Sequence, residues 1–599
     1  MTDFVEFLAP YRLHDVLSAS DVHIAVALAR LAGVTQPEVV LAVALAARAP
    51  RHGDVFVDIA SIEQQLTVEL DAVDSDAVDQ LDPLPAWPAP STWVEHVAAS
   101  TLVTATNAPL VLHGSHLYLE RYHEYEVAVA DQLLARATIA SDVVAASTQH
   151  IDHVLAVLLS GDGADRQRDA VRSALTSRLT VLIGGPGTGK TTTVAALLAV
   201  LLHGDPSLRV ALVAPTGKAA ARLGEALRHA AVRLPHEQAQ RLFAAETSTI
   251  HRLLGARGSS GFRYHVGHLL RYDVVIVDET SMVSLPLMSR LLDAVAPDAR
   301  LVLVGDPGQL ASVEAGSVLA DIAGPFADPT TSAKRPISGA LGSRVASLEF
   351  SRRFPPGSPL DRFARAVRLG DADAALALMQ QPQLGLDGAL DWQPVAADQP
   401  VAVEVIRTLA VPAALAVHAK ALAGDASAAL SELESMRVLC AHRHGPFGVD
   451  RWNARIEAWM TASGVTTRGW YVGRPVLVTA NDYRRQLFNG DVGVVVAGEP
   501  ADLVAFAAGD QPRLLRPSQL DAIETVHAMT IHKSQGSEFD HVVVVLPPAD
   551  SPLATRELLY TAVTRARQRV TVVGDEQAVR AAIARRTQRS SGLRSRLWQ

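Results

Sequence analysis

The residues with the clearest chemistry form a glycine-rich segment, Gly-Gly-Pro-Gly-Thr-Gly-Lys-Thr, at positions 184–191. An apolar, β-branched run at 179–183 precedes it, and residues 192–198 have the composition of a helix. Strand, loop and helix in this order predict a loop whose backbone N–H groups bind phosphate. Lys190 can reach the β- and γ-phosphates, and the Thr191 hydroxyl can bind Mg²⁺. The residues predicted to bind ATP are Gly184, Gly185, Pro186, Gly187, Thr188, Gly189, Lys190 and Thr191.

Two carboxylates narrow the expected chemistry to hydrolysis. Asp278 ends a second apolar run and is a further predicted Mg²⁺ ligand, while the adjacent Glu279 can orient and deprotonate a water molecule. Gln309 follows a third apolar run and can contact both the γ-phosphate and that water. Because a kinase would use a substrate hydroxyl instead of water, the carboxylate pair favours an ATP hydrolase.

The elements that must position these side chains are strands alternating with helices, which begin at about residue 140. Such alternation predicts an α/β fold with parallel sheets, in which ligands bind at the carboxyl edge of the strands. The predicted strands of a first region lie at 179–183, 210–214, 273–277 and 300–304, and those of a second region at 542–546 and 570–574.

Three other stretches have a distinct pattern. Residues 1–135 have helical patterning without a catalytic constellation, which fits either a partner-docking domain or a self-contained helical domain. Residues 470–518 hold short apolar runs around the turn Asn489-Gly490, which predicts a small SH3-like barrel. Several arginines between positions 585 and 596 predict a solvated, frayed tail.

Bulk properties exclude several classes of protein. The chain has 599 residues, 49% of them hydrophobic, which is enough for about three to five domains. Its formal charge of −9 argues against a protein whose whole surface is basic and binds nucleic acid nonspecifically. Its one cysteine excludes a disulfide framework. The N-terminus lacks a secretory pattern and no apolar run is long enough for a bilayer, so we expect a cytoplasmic protein without membrane contact.

Five ordered segments resemble the motifs of superfamily 1 helicases. The phosphate loop is similar to motif I, residues 278–282 to motif II, residues 305–313 to motif III, residues 528–540 to motif V and residues 558–567 to motif VI. Together with the segments Gly-Pro-Phe-Gly-Val at 445–449 and Phe-Asn-Gly-Asp at 488–491, they resemble the RecD family of superfamily 1B. The resemblance covers about residues 140–580.

The resemblance implies a domain organisation. It predicts two RecA-like P-loop motor domains, the first at 140–345 and the second at 346–599. A small hairpin at 256–270 belongs to the first, and the β-barrel-like insertion to the second. The helical N-terminal domain at 1–135 is then the expected partner-docking domain.

The resemblance also implies roles for residues that spacing alone does not identify. Gln167 is similar to the glutamine that reads adenine, Glu538 to a nucleotide-contacting residue, and Arg565 to the arginine finger of motif VI. Arg353 matches the motif IV arginine, although Arg352 stands where the family has an aromatic residue, so either arginine can be the finger. The residues implied to contact DNA are Thr216, Lys218, Thr249, His251, Thr530 and His532. For His251 alone, a structural role is the alternative.

The function implied is an ATP-dependent 5′→3′ DNA helicase and translocase. Members of the family work in a RecBCD-type heterotrimer, exodeoxyribonuclease V, with RecB- and RecC-like subunits, on single-stranded and double-stranded DNA ends during recombinational repair of double-strand breaks. The chain has no Asp…Glu-x-Lys constellation, so we expect nuclease activity to come from a partner subunit.

Two alternatives stay open at this point. One is a stand-alone RecD-like helicase, although such relatives carry helix–hairpin–helix elements that residues 1–135 lack. The other is a nucleotide-gated assembly subunit that switches a partner and unwinds nothing.

Overall fold

The computed structural model describes residues 4–71, 84–139, 147–161, 163–243, 245–257, 261–328, 339–351, 353–381, 389–482, 484–509 and 511–598, without the side chains of 67–71 and 238. Arg352 is outside these ranges, as are residues 258–260 of the predicted hairpin. The described residues form four sheets, two of them parallel and two antiparallel.

The N-terminal region is helical, as predicted, and also contains a small sheet. The helix Pro37–Arg48 is packed among the other helices of the region, and all of its residues from Val39 to Arg48 are buried. The three-stranded antiparallel sheet was not predicted; Gly114, with a φ of +61°, closes its hairpin. The remaining helices are Phe4–Leu13, Ala19–Ala32, Ile62–Asp71, Pro90–Ala99 and Thr101–Thr104, and the strands are β1 (Phe56–Asp58), β2 (Leu110–His113) and β3 (His116–Leu119), in the order β1-β3-β2.

The first parallel domain contains a six-stranded sheet. Its strands are β4 (Leu179–Gly184), β5 (Val210–Ala214), β6 (Glu246–Thr249), β7 (Val274–Val277), β8 (Arg300–Gly305) and β9 (Val345–Leu348), in the order β6-β5-β7-β8-β4-β9. Its helices are Glu120–Thr138, Thr148–Leu158, Ala164–Leu175, Lys190–Gly204, Gly217–Ala231, His236–Phe243, Ile250–Leu253, Leu285–Ala294 and Val318–Ala323.

Helices cover both faces of this sheet, because successive side chains of each strand point to opposite sides. Val181 and Ile183 pack into the same apolar cluster as Leu291 and the buried face of Glu120–Thr138. Leu182, between them, belongs to the opposite cluster, together with Leu198 of the helix Lys190–Gly204. The strands are therefore continuous apolar runs, and the polar groups are left for their carboxyl ends.

The second parallel domain follows, with an antiparallel sheet inserted in it. The strands are β10 (Ala389–Gln393), β11 (Met436–Cys440), β12 (Pro475–Val478), β13 (Val492–Val496), β14 (Leu503–Phe506), β15 (Arg513–Leu515), β16 (Ile523–Thr525), β17 (Ala528–Thr530), β18 (Phe539–Val545) and β19 (Ala566–Val573). The parallel sheet has the order β10-β19-β18-β11-β17, and the inserted sheet the order β15-β14-β13-β12-β16. The helices are Pro359–Leu369, Ala372–Met379, Pro400–Leu422, Ala426–Leu433, Val449–Ala462, Arg556–Val563, Glu576–Ala584 and Leu593–Leu597. The predicted α/β class with two parallel sheets is confirmed.

One helix in the described part of the chain, Pro400–Leu422, is long and apolar enough to cross a bilayer. It lies against the second parallel sheet, where Ile406 and Ala410 share an apolar cluster with Val438 and Cys440. These contacts are those of a helix that covers a sheet in a globular domain.

The C-terminal tail, residues 585–598, is docked rather than frayed, so the expectation of a solvated tail was wrong. The backbone N–H of Val55 donates to the carbonyl of Ser590 at 2.8 Å, which ties the tail to the N-terminal region. Arg596 Nε donates to Glu126 Oε1 at 2.9 Å, and the Glu126 side chain is fully buried. Trp598 Nε1 donates to the carbonyl of Asp321 at 3.1 Å. The arginines of the tail find acceptors that only the folded chain brings to them.

This docking makes a stability prediction. Arg596→Ala removes the guanidinium from Glu126, which stays buried on its other partners, so we expect a loss of about 2–3 kcal/mol of unfolding free energy. Chemical denaturation of the nucleotide-free protein measures it. Arg586→Ala, an exposed arginine of the same tail, is the matched control and should leave the curve unchanged. Equal curves for both variants would contradict the role of the ion pair.

Candidate active site

The phosphate loop connects the buried strand β4 to the helix Lys190–Gly204. Gly187 and Gly189 have φ values of +76° and +80°, which favour glycine. A Cβ on Gly189 would lie 2.2 Å from Gln167 Nε2, and one on Gly187 would lie 2.6 Å from the backbone nitrogen of Arg353. The loop is therefore a tight backbone cradle, of the kind that wraps phosphate oxygens.

Lys190 and the two carboxylates meet at this loop. Lys190 Nζ donates to the carbonyls of Gly184 and Gly185 at 2.7 and 3.0 Å. Asp278 follows β7; its burial and the nearby charge of Glu279 raise its pKa to about 6, against the opposing field of Lys190. A half-buried, partly uncompensated carboxylate of this kind suits a divalent cation.

Glu279 has a strained backbone, with a φ of +50°. Non-glycine residues adopt this conformation rarely, and such strain concentrates at functional sites. Its N–H donates to Asp278 Oδ1 at 2.8 Å, which fixes the two carboxylates relative to each other.

Gln167 contacts the phosphate loop. Its Nε2 donates to the carbonyls of Thr188 and Gly189 at 3.2 and 3.3 Å, and the side chain is buried. The residue predicted to read adenine is thus also a brace for the loop that would hold the phosphates.

Gln309 and Arg565 join the two parallel domains. Gln309 follows β8 in the first domain, and its Oε1 accepts a hydrogen bond from Arg565 Nη2 at 3.0 Å. Arg565, at the end of Arg556–Val563 in the second domain, is only 4% exposed. Burial and the charge of Arg353 lower the pKa of Arg565 to about 10, so it stays a cation at neutral pH. Gln309 was predicted at the γ-phosphate from its position, and Arg565 was implied as an arginine finger by the family resemblance; the fold brings the two side chains into contact.

Arg353 and Glu538 form an ion pair in the same cleft. Arg353 also donates to the carbonyl of Thr564, next to Arg565. Glu538 lies 3.6 Å from Arg222 of the first domain and 3.6 Å from Arg567 of the second. Burial alone would raise the pKa of Glu538, but Arg353 and Arg222 outweigh it and lower the pKa to about 2. Glu538 is therefore a fixed anion among arginines.

Sequence reasoning missed four groups in this cleft: Asp306, Arg222, Arg368 and Tyr560. Asp306 stands inside the motif III segment, where its burial was not visible from the sequence. Arg368 Nε is buried without a hydrogen-bond partner, and its Nη1 would lie 4.0 Å from a Cβ on Gly185. No local pattern marks Arg222 or Arg368, because each lies on an ordinary amphipathic helix.

The residues predicted to contact DNA divide into two groups. Three hydroxyls each accept the backbone N–H group three residues ahead and start a helix or turn: Thr216 from Ala219, Thr249 from Arg252 and Thr530 from Lys533, each at 3.2 Å. The other three are Lys218, whose Nζ donates to Ser537 Oγ at 2.6 Å, His251, which is exposed, and His532, whose pKa burial and Arg589 lower. Burial lowers the pKa of Lys218 to about 8.

A cavity of about 340 Å³ opens between the first parallel domain and the inserted sheet. Thr249 and Arg252 line one wall. Phe488, from the predicted turn, lines the other and packs so closely on Gly217 that a Cβ there would lie 2.3 Å from its ring. Of the residues predicted to contact DNA, Thr249 therefore lines this groove, and Gly217, between Thr216 and Lys218, lines it too.

Three family profiles match parts of the chain. The profile of the N-terminal domain of RecBCD enzyme subunit RecD matches residues 14–118. The profile of an AAA domain matches residues 167–315, and that of a UvrD-like helicase C-terminal domain matches residues 525–573. The last two matches contain the phosphate loop with the carboxylate pair, and motif V with Arg565.

Full-length relatives extend these matches. The chain is 47% identical to the RecBCD enzyme subunit RecD of Mycolicibacterium smegmatis, over 97% of this chain and 98% of that protein. It is 45% identical to the same subunit of Mycobacterium tuberculosis, over 97% and 95%. The ATP-dependent RecD2 DNA helicase of Deinococcus radiodurans is 34% identical over 70% of this chain and 50% of that protein. The chain belongs to the RecD family.

Proposed function

We propose that this chain is an ATP-dependent 5′→3′ DNA helicase subunit of a RecBCD-type complex, which processes double-strand DNA ends for recombinational repair. The observation that carries the proposal is the contact between Gln309 and Arg565. It joins the hydrolytic residues of one parallel domain to a cation of the other, so hydrolysis depends on domain closure. A motor needs this dependence to turn nucleotide cycles into movement along a strand.

The residues of the cleft fit ATP with Mg²⁺. The backbone of residues 184–189 and Lys190 would hold the phosphates, and Thr191 with Asp278 would hold Mg²⁺. Mg²⁺ bound there would neutralise charge on the phosphate oxygens. Glu279 accepts the proton of the attacking water, and Gln309 orients that water.

Two cations act from the second side of the cleft. Arg565 donates a hydrogen bond to Gln309, and Arg353 lies between Glu538 and the carbonyl of Thr564. Guanidiniums at these positions stabilise charge that grows on the transferred phosphoryl group. Of the two candidate motif IV fingers, we favour Arg353, because its backbone already lies against the phosphate loop.

DNA would run across the groove between the first parallel domain and the inserted sheet. Short hydroxyls, helix N-termini and Lys218 suit contacts to phosphates that ignore sequence. On the second parallel domain, we propose that Thr530 and His532 contact the same strand. We place the hairpin at 256–270 where a duplex would split; its described residues pair as antiparallel bridges, Ala256 with Phe262 and His265 with His268.

The N-terminal region offers a surface for RecB- or RecC-like partner subunits. Four of its large apolar side chains are exposed: Val5 and Leu13 on one helix, and Ile24 and Leu31 on the next. Spacings of eight and seven residues put each pair on one helix face. A heterotrimer would cover these faces, and the nuclease site would lie on a partner. We expect such a complex in the cytoplasm.

The family matches also bear on the two alternative functions, a stand-alone helicase and a subunit that does not unwind DNA. The N-terminal domain profile of RecD and the near-complete coverage of the mycobacterial subunits favour a complex subunit, whereas the RecD2 helicase matches over only half its length. A nucleotide-gated subunit that does not unwind would need no groove with phosphate-binding groups.

One experiment tests the proposal. The purified chain is assayed for ATP hydrolysis with and without single-stranded DNA, and for strand separation on duplexes with 5′ or 3′ tails. We expect DNA-stimulated hydrolysis and unwinding from 5′ tails. Hydrolysis indifferent to DNA, or unwinding from 3′ tails only, would refute the function. Co-purification with the RecB- and RecC-like chains of the same organism tests the partner assignment.

A further inference from the structure

Asp306 lies at the centre of a hydrogen-bond network between the two parallel domains. It is 1% exposed. Its Oδ1 accepts from the N–H of Gly308 at 3.0 Å and its Oδ2 from Gln309 Nε2 at 3.1 Å. Tyr560, from the second domain, lies beside the same carboxylate: a Cβ on Gly308 would be 3.4 Å from Asp306 Oδ1 and 3.6 Å from Tyr560 Cε1. Burial and the charge and hydrogen bonding of Asp306 raise the pKa of Tyr560, so its hydroxyl keeps the proton that it donates to this carboxylate. A buried carboxylate needs such donors, and here one of them comes from across the cleft.

The network determines the orientation of the Gln309 amide. A carboxylate only accepts hydrogen bonds and a guanidinium only donates them. Gln309 touches one of each: its Nε2 faces Asp306 and its Oε1 faces Arg565. The reversed amide would place two donors together and two acceptors together, so only one orientation satisfies both partners.

Tyr560 can complete this network only when the two domains are together. It is buried on Arg556–Val563, five residues before Arg565. A Cβ on Gly185 would lie 2.8 Å from its hydroxyl, so the ring also closes over the phosphate loop. The field of Tyr560 and Asp306 outweighs burial and raises the pKa of Arg368, which keeps a positive charge beside the carboxylate.

We propose that Asp306 and Tyr560 are positioning residues that lock the Gln309 amide in the orientation Arg565 requires, so that Gln309 becomes competent only on closure. The inference rests on the proposed ATP hydrolysis and deepens it. In this role Tyr560 and Asp306 act through Gln309, to which Asp306 bonds directly at 3.1 Å.

Tyr560→Phe tests the proposal because it removes one hydroxyl and keeps the ring. One lost hydrogen bond to a charged group should lower kcat for DNA-stimulated hydrolysis about tenfold, with little change in KM. Tyr471→Phe is the matched control: this buried tyrosine of the second parallel domain bonds to His527 at 2.8 Å, away from the cleft. It should hydrolyse ATP as the unmodified chain does.

A double-mutant cycle separates positioning from general packing. In a Gln309→Ala background, Tyr560→Phe should have no further effect on kcat, because the group it positions is gone. If the tenfold loss persisted in that background, or if Tyr560→Phe alone left kcat unchanged, the lock would be refuted.

A second measurement needs no ATP hydrolysis: it uses the chain with a non-hydrolysable ATP analogue bound, which holds the two domains together. Hydrogen–deuterium exchange of the peptide that contains Gly308 and Leu310 should be faster in Tyr560→Phe and unchanged in Tyr471→Phe, since Gly308 N–H bonds to Asp306. Unchanged exchange in Tyr560→Phe would overturn the network. If the unmodified chain failed to hydrolyse ATP, the proposed function would fall, while the exchange result would still decide the lock.

Discussion

Replacement of Arg565 by alanine is expected to lower kcat for DNA-stimulated ATP hydrolysis by about a thousandfold or more. Arg565 is the cation that the second parallel domain delivers to Gln309, at 3.0 Å, and it also donates to the carbonyl of Thr561. An arginine that stabilises charge on a transferred phosphoryl group contributes mainly in the transition state. Nucleotide affinity, measured with a fluorescent ATP analogue, should therefore change far less than kcat.

Arg569→Ala is the matched control for this prediction. Arg569 lies four residues further on, where it pairs with Asp391 on the surface at 2.6 Å. Its loss removes the same charge from the same domain without touching the cleft, and surface pairs of this kind contribute little. A similar loss of kcat in both variants would contradict a specific role for Arg565. Full activity of Arg565→Ala would contradict the closure mechanism itself.

Glu279→Gln is expected to lower kcat by about a hundred- to ten-thousandfold while nucleotide binding persists. The amide keeps the size of the side chain but cannot take a proton from water. Glutamine should tolerate the φ of +50° about as well as glutamate, since the two side chains have the same shape, so the backbone strain is unchanged. The variant should therefore trap nucleotide in the cleft, which equilibrium binding and single-turnover hydrolysis measure together.

Glu225→Gln is the corresponding control, since Glu225 is exposed on the helix Gly217–Ala231 of the same domain. It should hydrolyse ATP like the unmodified chain. If Glu279→Gln retained full turnover, another group would have to be the base. If the variant lost nucleotide binding as well, the Glu279 carboxylate would bind Mg²⁺ rather than take a proton from water.

Four of the six strands of the first parallel sheet were predicted well because local sequence determines them, whereas β6 and β9 were not predicted. The run at 210–214 coincides with β5, and the other predicted runs of the first domain end within one residue of their strands. Buried parallel strands need unbroken apolar runs, and the polar groups after them must then lie at the carboxyl edge. For this reason Lys190, Asp278, Glu279 and Gln309 could be found from spacing alone.

The short strands β1 to β3 were missed for an equally physical reason. Each has three or four residues, and β1 pairs with β3 across more than 50 residues of chain. Such pairing leaves little periodicity in the sequence. The C-terminal tail was misjudged in the same way, because the acceptors of Arg589 and Arg596 lie on elements hundreds of residues away.

The sequence by itself determined the phosphate loop, its carboxylates and the family, since these depend on residue types at short, constrained spacings. Only the tertiary structure decided which side chains contact one another in the cleft. Asp306, Tyr560 and Glu538 acquire their partners across the two domains, and Lys218 bonds to Ser537 over 319 residues of chain. The electrostatics of a buried charge depend on every element packed around it, so they appear only when the two halves of the site are brought together.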